Sequence, residues 1–135
     1  MLEISTSSNF VVSPEELFTE LTPEEGAIIE GGKSVLIRKI QAIKAGADTF
    51  SADDTYITIG GKKVWGEKSM TTGQSREVYE RRYFNGSTRV ALFDEDLGRD
   101  DQLGSFTVSG ATNGTAIARV SGSGSSYDVY YQVFA

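Results

Sequence analysis

The sequence predicts an all-β protein, an antiparallel β-sandwich of eight strands preceded by a short helical segment. Three observations indicate this fold. From Ser34 onward, short runs rich in β-branched and aromatic residues recur, separated by turns rich in Gly, Asn, Asp and Ser at intervals of roughly eight to twelve residues. Gly60-Gly61 and Asn85-Gly86 are suited to the positive φ angles of two-residue hairpin turns. Residues 1–32 differ in composition from the rest, which divides the chain into a helical segment (1–32) and a sandwich (33–135).

The strands follow from the spacing of these runs and turns. The segment Gly122-Ser-Gly-Ser-Ser126 is interpreted as a flexible hairpin loop before the last strand. We predict strands near Val35–Ala45, Tyr56–Ile59, Lys62–Trp65, Arg76–Phe84, Thr88–Asp94, Leu103–Ser109, Thr115–Ser121 and Tyr127–Phe134.

The helical segment begins with a capping signal. Ser13-Pro-Glu-Glu16 places a capping residue before Pro at the first helical position, and a second copy begins at Thr22. Four apolar residues follow at helical spacing, and Gly31-Gly32 is a natural helix terminator. The apolar stripe consists of Leu17, Leu21, Ile28 and Ile29.

This segment also resembles the double-glycine leader peptides of bacterial bacteriocin-like precursors, which are cleaved after the Gly pair. Leu21, Glu25 and Ile29 stand before Gly31-Gly32 at the spacing of such leaders, although Gly26 replaces an apolar residue expected there. The resemblance implies secretion by leader-dependent export. The alternative is an N-terminal helix that packs on the domain, with Gly31-Gly32 as its cap and a cytoplasmic location.

Composition excludes several classes of function. The 135 residues are enough for one domain with a core, and the chain contains no Cys and no His. This removes thiol nucleophiles, Ser-His-Asp triads, disulfides and the usual zinc, copper and haem ligand sets. A net charge of −6 argues against a nucleic-acid partner. No apolar run approaches the ~18 residues of a transmembrane helix.

The most informative stretch is the predicted strand Thr88–Asp94 with the loop that follows it. Asp94, Asp96, Asp100 and Asp101 lie within eight residues of one another. Carboxylates held this close repel one another and raise one another's pKa. The loop is therefore either an ordinary solvated turn or the binding site of a cation.

Calcium is the cation that suits such a loop, because it takes six to eight hard oxygen ligands in flexible geometry. The loop is not an EF-hand: counted from Asp94, the sixth position is Arg99 rather than Gly and the twelfth is Ser105 rather than Glu. Further ligands must come from another segment. A second acidic stretch, Ala47–Ile59, precedes and opens another predicted strand.

These two stretches together resemble the C2 domain family, the calcium-dependent membrane-binding β-sandwiches. The first loop of that family has an Asp and, six residues later, Asp-Pro-Tyr; here Asp48 is followed by Asp54-Thr-Tyr56. Its third loop reads Val-x-Asp-x-Asp and then Asp-x-x-Gly. The counterparts here are Leu92-Phe-Asp94-Glu-Asp96 and Asp101-Gln-Leu-Gly104.

The resemblance implies the site residues and the function. Asp53 and Asp100 would be alternates or groups in the outer coordination sphere, and the apolar Phe50 and Leu97 would contact a membrane. The expected function is non-enzymatic, calcium-dependent association with anionic lipid headgroups or a protein surface. The implied Ca²⁺ ligands are Asp48, Asp54, Asp94, Asp96 and Asp101.

Two other functions compete with this one. Paired acids can hydrolyse glycosides, but the sequence offers no second acid across a cleft, no positioned nucleophile and no phosphate-binding Gly loop. We therefore do not expect an enzyme. The other alternative is an exported structural or precursor protein of bacterial origin, whose acidic loops keep it soluble and bind no significant metal.

Overall fold

The computed structural model describes residues 32–46 and 52–135, and eight strands organise this part of the chain. They form two four-stranded antiparallel sheets, with the strand orders β4-β1-β8-β7 and β3-β2-β5-β6. The predicted eight-stranded antiparallel sandwich is thereby confirmed. The strands are β1 (Lys33–Lys44), β2 (Asp53–Ile59), β3 (Lys62–Met70), β4 (Ser75–Phe84), β5 (Thr88–Asp94), β6 (Asp101–Val108), β7 (Ala116–Gly122) and β8 (Ser125–Phe134).

The core lies between the two sheets, and most of its residues alternate along the strands; in β1 an irregularity between Ile37 and Lys39 places both Ile37 and Ile40 on the inward face. Ile37 and Ile40 of β1, Leu92 of β5, Leu103 of β6 and Val129 of β8 are fully buried. Burying one such side chain contributes about 1.5–3 kcal/mol. Because successive side chains of a strand point to opposite faces, the residues between these positions lie on the outer faces of the sheets.

The Gly60-Gly61 turn was predicted correctly. It joins β2 to β3, which pair with each other through Ile59 and Lys62. The φ angles of the two glycines are 62° and 85°. Two consecutive positive φ angles characterise the hairpin turn whose twist matches that of the flanking strands.

The prediction of a hairpin at Asn85-Gly86 was wrong. This turn joins β4 to β5, which belong to different sheets, so the chain crosses here from one layer to the other. Gly86 does have a positive φ of 71°. A turn dipeptide specifies the local backbone conformation, but it does not determine whether the next strand pairs with the previous one.

The last hairpin is tighter than the sequence suggested. The turn consists of two residues, Ser123 and Gly124, with φ angles of 52° and 84°. Gly122 pairs with Ser125, and Ser121 pairs with Ser126. The hydroxyl oxygens of these last two serines are 3.0 Å apart. Ser125 and Ser126 therefore belong to β8 rather than to a loop, and the contact between the hydroxyls of Ser121 and Ser126 adds a cross-strand pair to the hairpin.

The two acidic stretches meet at one end of the sandwich. β2 pairs antiparallel with β5, and Thr55 lies opposite Asp94. The start of β2 and the end of β5 are therefore neighbours. We call this end, formed by the end of β1, the start of β2 and the β3–β4, β5–β6 and β7–β8 connections, the acidic pole.

The predicted N-terminal helical segment and leader span residues 1–32, and all of these except Gly32 lie outside the described residues. Within residues 32–46 and 52–135, no helix is long and apolar enough to span a lipid bilayer. The division of the chain at residue 32 remains a prediction from composition.

Candidate metal centre

Three carboxylates converge at the acidic pole. Asp94 is the last residue of β5 and Asp101 is the first residue of β6, and the two lie directly opposite each other in the antiparallel pair. Asp96 follows Asp94 by two residues in the connecting loop. One carboxylate oxygen from each of these residues lies within 4.8 Å of the others. The hairpin formed by β5 and β6 is what brings these acids together.

The spacing of these oxygens fits a single calcium ion. Calcium is coordinated at 2.3–2.6 Å, so two oxygens bound to the same ion are separated by at most about 5 Å. The observed limit of 4.8 Å lies within that range. The donor set is also suitable, since carboxylate oxygens are hard ligands and the ion would neutralise their mutual repulsion.

Asp94 is held in place by the start of β2. Its side chain is fully buried, and its Oδ1 accepts a hydrogen bond of 2.7 Å from the backbone N–H of Asp54. The N–H of Glu95 in turn donates to the carbonyl oxygen of Asp54 at 2.9 Å. The two acidic stretches are thus joined by backbone as well as side-chain contacts, which fixes the orientation of the Asp94 carboxylate.

Asp100 shapes the loop between β5 and β6. Its Oδ1 accepts the N–H of Asp96 at 3.0 Å, and its Oδ2 accepts the hydroxyl of Tyr56 at 2.5 Å. The bond from Tyr56, followed by that from Asp96, lowers the pKa of Asp100. Burial, followed by the hydrogen bond to Asp100, raises the pKa of Tyr56 to about 12. Asp101 therefore belongs to the carboxylate cluster, while Asp100 holds the loop to β2.

Asp53 and Asp54 face opposite directions. Asp53 is fully buried, and its Oδ2 accepts hydrogen bonds from the hydroxyls of Ser125 and Tyr127, both at 2.8 Å. Asp54 is exposed at the rim of the acidic pole, on the outer side of β2. Burial is the main cause that raises the pKa of Tyr127, and its hydrogen bond to Asp53 raises it further.

Comparisons with known proteins give different results for the sequence and for the fold. No family model matches the sequence, and no curated protein matches it either. Solved structures do match. A C2 domain-containing protein superimposes with a TM-score of 0.57 and 18% identity, covering 77% of this chain and 87% of that chain. A C2 domain of plant Extended Synaptotagmin 1 gives a TM-score of 0.50 and 11% identity, covering 76% of this chain and 92% of that chain.

The chain has the C2 fold. A further structure, described only as a C2 domain, is covered over 99% of its length at a TM-score of 0.50 and 15% identity. The match therefore extends over a whole domain of this type. At identities this low, the structural match establishes the C2 fold but gives no information about ligands.

The acidic residues that were predicted from the sequence as ligands lie at the acidic pole of the C2 fold, where the structure describes them. Asp94, Asp96 and Asp101 form the cluster, and Asp54 contacts Asp94 through its backbone. Leu97 is fully exposed, on the loop that follows Asp94. The predicted ligand Asp48 and the predicted membrane contact Phe50 lie outside the described residues.

Three residues that support this site were not predicted as part of it: Tyr56, Ser125 and Tyr127. The alternation of β2 could have indicated part of this arrangement. Ile57 and Ile59 are core residues, so a period of two places Thr55 and Asp53 on the same inward face. The contacts with Ser125 and Tyr127 join opposite sheets, and no local pattern predicts them.

Proposed function

We propose that this protein is a calcium-binding, non-enzymatic module that associates with a membrane or protein surface when calcium is bound. The observation that carries the proposal is the convergence of Asp94, Asp96 and Asp101 at the loop end of a C2 fold. Asp54 at the rim and Asp48 in the β1–β2 connection are proposed to supply further ligands. We assign Asp53 and Asp100 the role of holding the loops in place, because they accept hydrogen bonds from the hydroxyls of Ser125 and Tyr56.

The exposed Leu97 supports association with a surface. Its side chain is fully exposed within a loop of carboxylates, where an unneutralised acidic pole would repel an anionic membrane. Calcium, when bound, supplies positive charge that neutralises the carboxylates and attracts anionic headgroups. Leu97, together with Phe50, is then proposed to enter the apolar boundary of the lipid layer.

Calorimetric titration with calcium tests the ion site. We expect heat of binding from the wild-type protein and none from the double variant Asp94→Asn/Asp96→Asn. The matched control is Glu77→Gln/Asp128→Asn, which removes the same number of charges from the other sheet, on β4 and β8. At a calcium concentration about 100 times the dissociation constant, the wild type should gain about 2.7 kcal/mol in free energy of unfolding. Absence of both heat and stabilisation at millimolar calcium would refute the proposal.

Vesicle sedimentation tests the surface. With vesicles containing anionic lipid, the wild type should sediment in calcium and remain in solution in a chelator. Leu97→Ser should weaken sedimentation without changing the calcium affinity measured by calorimetry. Calcium binding without sedimentation would direct the search to a protein surface instead of a lipid one.

A second candidate function is an exported structural or precursor protein of bacterial origin with no significant metal binding. The residues that favour it are Leu21, Glu25 and Ile29 before Gly31-Gly32, the pattern of a cleavable leader. Mass spectrometry of the protein from its native host should then find a mature chain that begins at Lys33. Recovery of only the uncleaved chain from the cytoplasm would discard export.

A further inference from the structure

A chain of hydrogen bonds, buried except at its Gly46 end, crosses the sandwich just beneath the acidic pole. The N–H of Gly46 donates to Ser125 Oγ at 2.9 Å, and this hydroxyl donates to Asp53 Oδ2 at 2.8 Å. The hydroxyl of Tyr127 donates to the same Asp53 oxygen at 2.8 Å and lies 2.9 Å from Thr55 Oγ1. We call Asp53, Ser125 and Tyr127 the inter-sheet clamp, because Asp53 belongs to one sheet and the two hydroxyls to the other.

The backbone around the clamp is also closely packed. A Cβ added at Gly46 would lie 2.6 Å from the carbonyl oxygen of Gly124, in the β7–β8 turn. Gly124 itself has a φ of 84°, which residues other than glycine rarely adopt. The end of β1, the start of β2 and the β7–β8 turn are therefore fastened to one another at this level of the sandwich.

The polar composition of the clamp requires an explanation. Burying a carboxylate removes it from water at a high cost that hydrogen bonds only partly offset, so apolar residues of similar volume often stabilise a core at least as well. Asp53 immediately precedes Asp54, whose N–H donates to Asp94 Oδ1 at 2.7 Å. The clamp thus fixes the backbone that orients a carboxylate of the candidate metal centre.

We propose that Ser125 and Tyr127 are positioning residues for ion binding, a role that rests on the proposed calcium function. They hold Asp53 at the start of β2, and Asp53 keeps the Asp54 N–H directed at Asp94. With Asp94 oriented in advance, the cluster of three carboxylates binds an ion without first reorganising. Groups that hydrogen-bond directly to metal ligands typically change metal affinity 10–100-fold when they are removed, and Ser125 and Tyr127 act one step further back, so we expect the lower end of this range.

The test compares two deletions of hydroxyl groups with two matched controls. Ser125→Ala and Tyr127→Phe remove the donors to Asp53. Ser126→Ala and Tyr130→Phe remove hydroxyls from neighbouring residues of β8 that lie on the outer face. Calorimetric titration with calcium should give affinities at least about tenfold weaker for each clamp variant and unchanged for each control. Because the two variants remove different hydroxyl groups, each of which donates to Asp53, failure of one to fold leaves the other decisive.

A second readout requires no calcium. In calcium-free protein, amide hydrogen exchange at Asp54 should accelerate in both clamp variants, while exchange in the middle of β1 stays close to the wild-type rate. A purely structural role would accelerate both regions together, since global unfolding exposes every amide. The comparison therefore separates positioning from general stabilisation.

Each outcome decides between the two proposals. Weaker calcium affinity with locally faster exchange at Asp54 supports the positioning role. If the wild type binds calcium and both variants bind it equally well, the positioning role is overturned and the calcium function stands. Weaker binding with uniformly faster exchange also overturns positioning. If the wild type binds no calcium, both proposals fail together.

Discussion

At the scale of single residues, two adjacent carboxylates at the end of the β5–β6 loop have different partners. Asp101 opens β6 opposite Asp94 and joins the cluster. Asp100 accepts hydrogen bonds from Tyr56 and from the backbone of Asp96. Sequence spacing alone could not assign these roles, because the assignment depends on where β6 begins and on a tyrosine 44 residues earlier in the chain.

Removal of the Tyr56 hydroxyl should release Asp100. In Tyr56→Phe the ring remains to stack on Phe93, whose centroid is 5.3 Å away, so the change is confined to the hydrogen bond. The Tyr56 bond is the main cause that lowers the pKa of Asp100, and we expect this pKa to rise toward its ordinary value. An NMR titration of the Asp100 carboxyl carbon measures it. Tyr83→Phe, at an exposed tyrosine of β4, is the control, and an unshifted pKa of Asp100 in Tyr56→Phe would contradict the hydrogen bond.

The orientation of Asp53 shows what a residue-scale prediction from sequence misses. Asp53 and Asp54 are chemically identical, and the spacing of the C2 motif selected Asp54 as the ligand. The strand places Asp53 inward with Ile57 and Ile59, so the alternation of β2 contained this information. Its two hydroxyl partners come from β8, more than 70 residues away, and only the fold reveals them.

At the scale of elements, β6 and β7 approach each other across the edges of the two sheets at Gly104. This residue has a φ of 139°, and a Cβ added there would lie 2.5 Å from Val120 Cβ and 2.6 Å from the backbone nitrogen of Ser121. Both neighbours belong to β7, and the second is backbone, which cannot move away cheaply. The contact therefore depends on glycine at this position.

Gly104→Ala should destabilise the protein. Overpacking a core costs about 1–3 kcal/mol and backbone strain about the same, so we expect a loss of at least about 2 kcal/mol in free energy of unfolding. Urea denaturation without calcium measures it. Gly98→Ala is the matched control, since a Cβ there meets nothing within 4 Å and no positive φ is involved. Equal stability of the two variants would refute the close approach.

The positions of the strands were largely predictable, whereas their pairing was predictable only at hairpins such as Gly60-Gly61. All eight strands were located because β-branched and aromatic runs alternate with turn residues. β2 nevertheless begins at Asp53 and β3 continues to Met70, beyond the predicted bounds, since Asp53 pairs with Met70. When the end of a strand is polar, its sequence resembles that of a loop, and only its pairing with a neighbouring strand shows that it is extended. The same limitation explains the wrong prediction at Asn85-Gly86, because the partner of β5 is decided by contacts within the whole sheet and not by the turn.

At the scale of the whole molecule, the buried phenol of Tyr127 and the partly buried phenol of Tyr56 link stability to alkaline pH. The pKa values of both Tyr127 and Tyr56 are raised above the ordinary 10.0, chiefly by burial. Below about pH 10 both the folded and the unfolded chain keep these protons. Above it the unfolded chain releases them while the folded chain retains them, so the free energy of unfolding falls as pH rises.

Urea midpoints measured between about pH 8 and pH 11 test this linkage. The fully buried Tyr127 should contribute a decrease of up to about 1.4 kcal/mol per pH unit above pH 10. Tyr127→Phe should be less stable than the wild type at pH 8, because it loses the bond to Asp53, yet decline less steeply in alkali. Parallel slopes for the two proteins would show that Tyr127 titrates normally in the folded state.

The pairing of the first and last strands has a practical consequence. Ser34 lies opposite Phe134, and Lys44 lies opposite Ser126, so β1 enters and β8 leaves the sandwich side by side at the end remote from the acidic pole. An affinity tag or fluorophore attached after Ala135 would therefore anchor the molecule by its far end. On a sensor chip, such a fusion would leave the carboxylates of the sandwich on the side away from its attachment point.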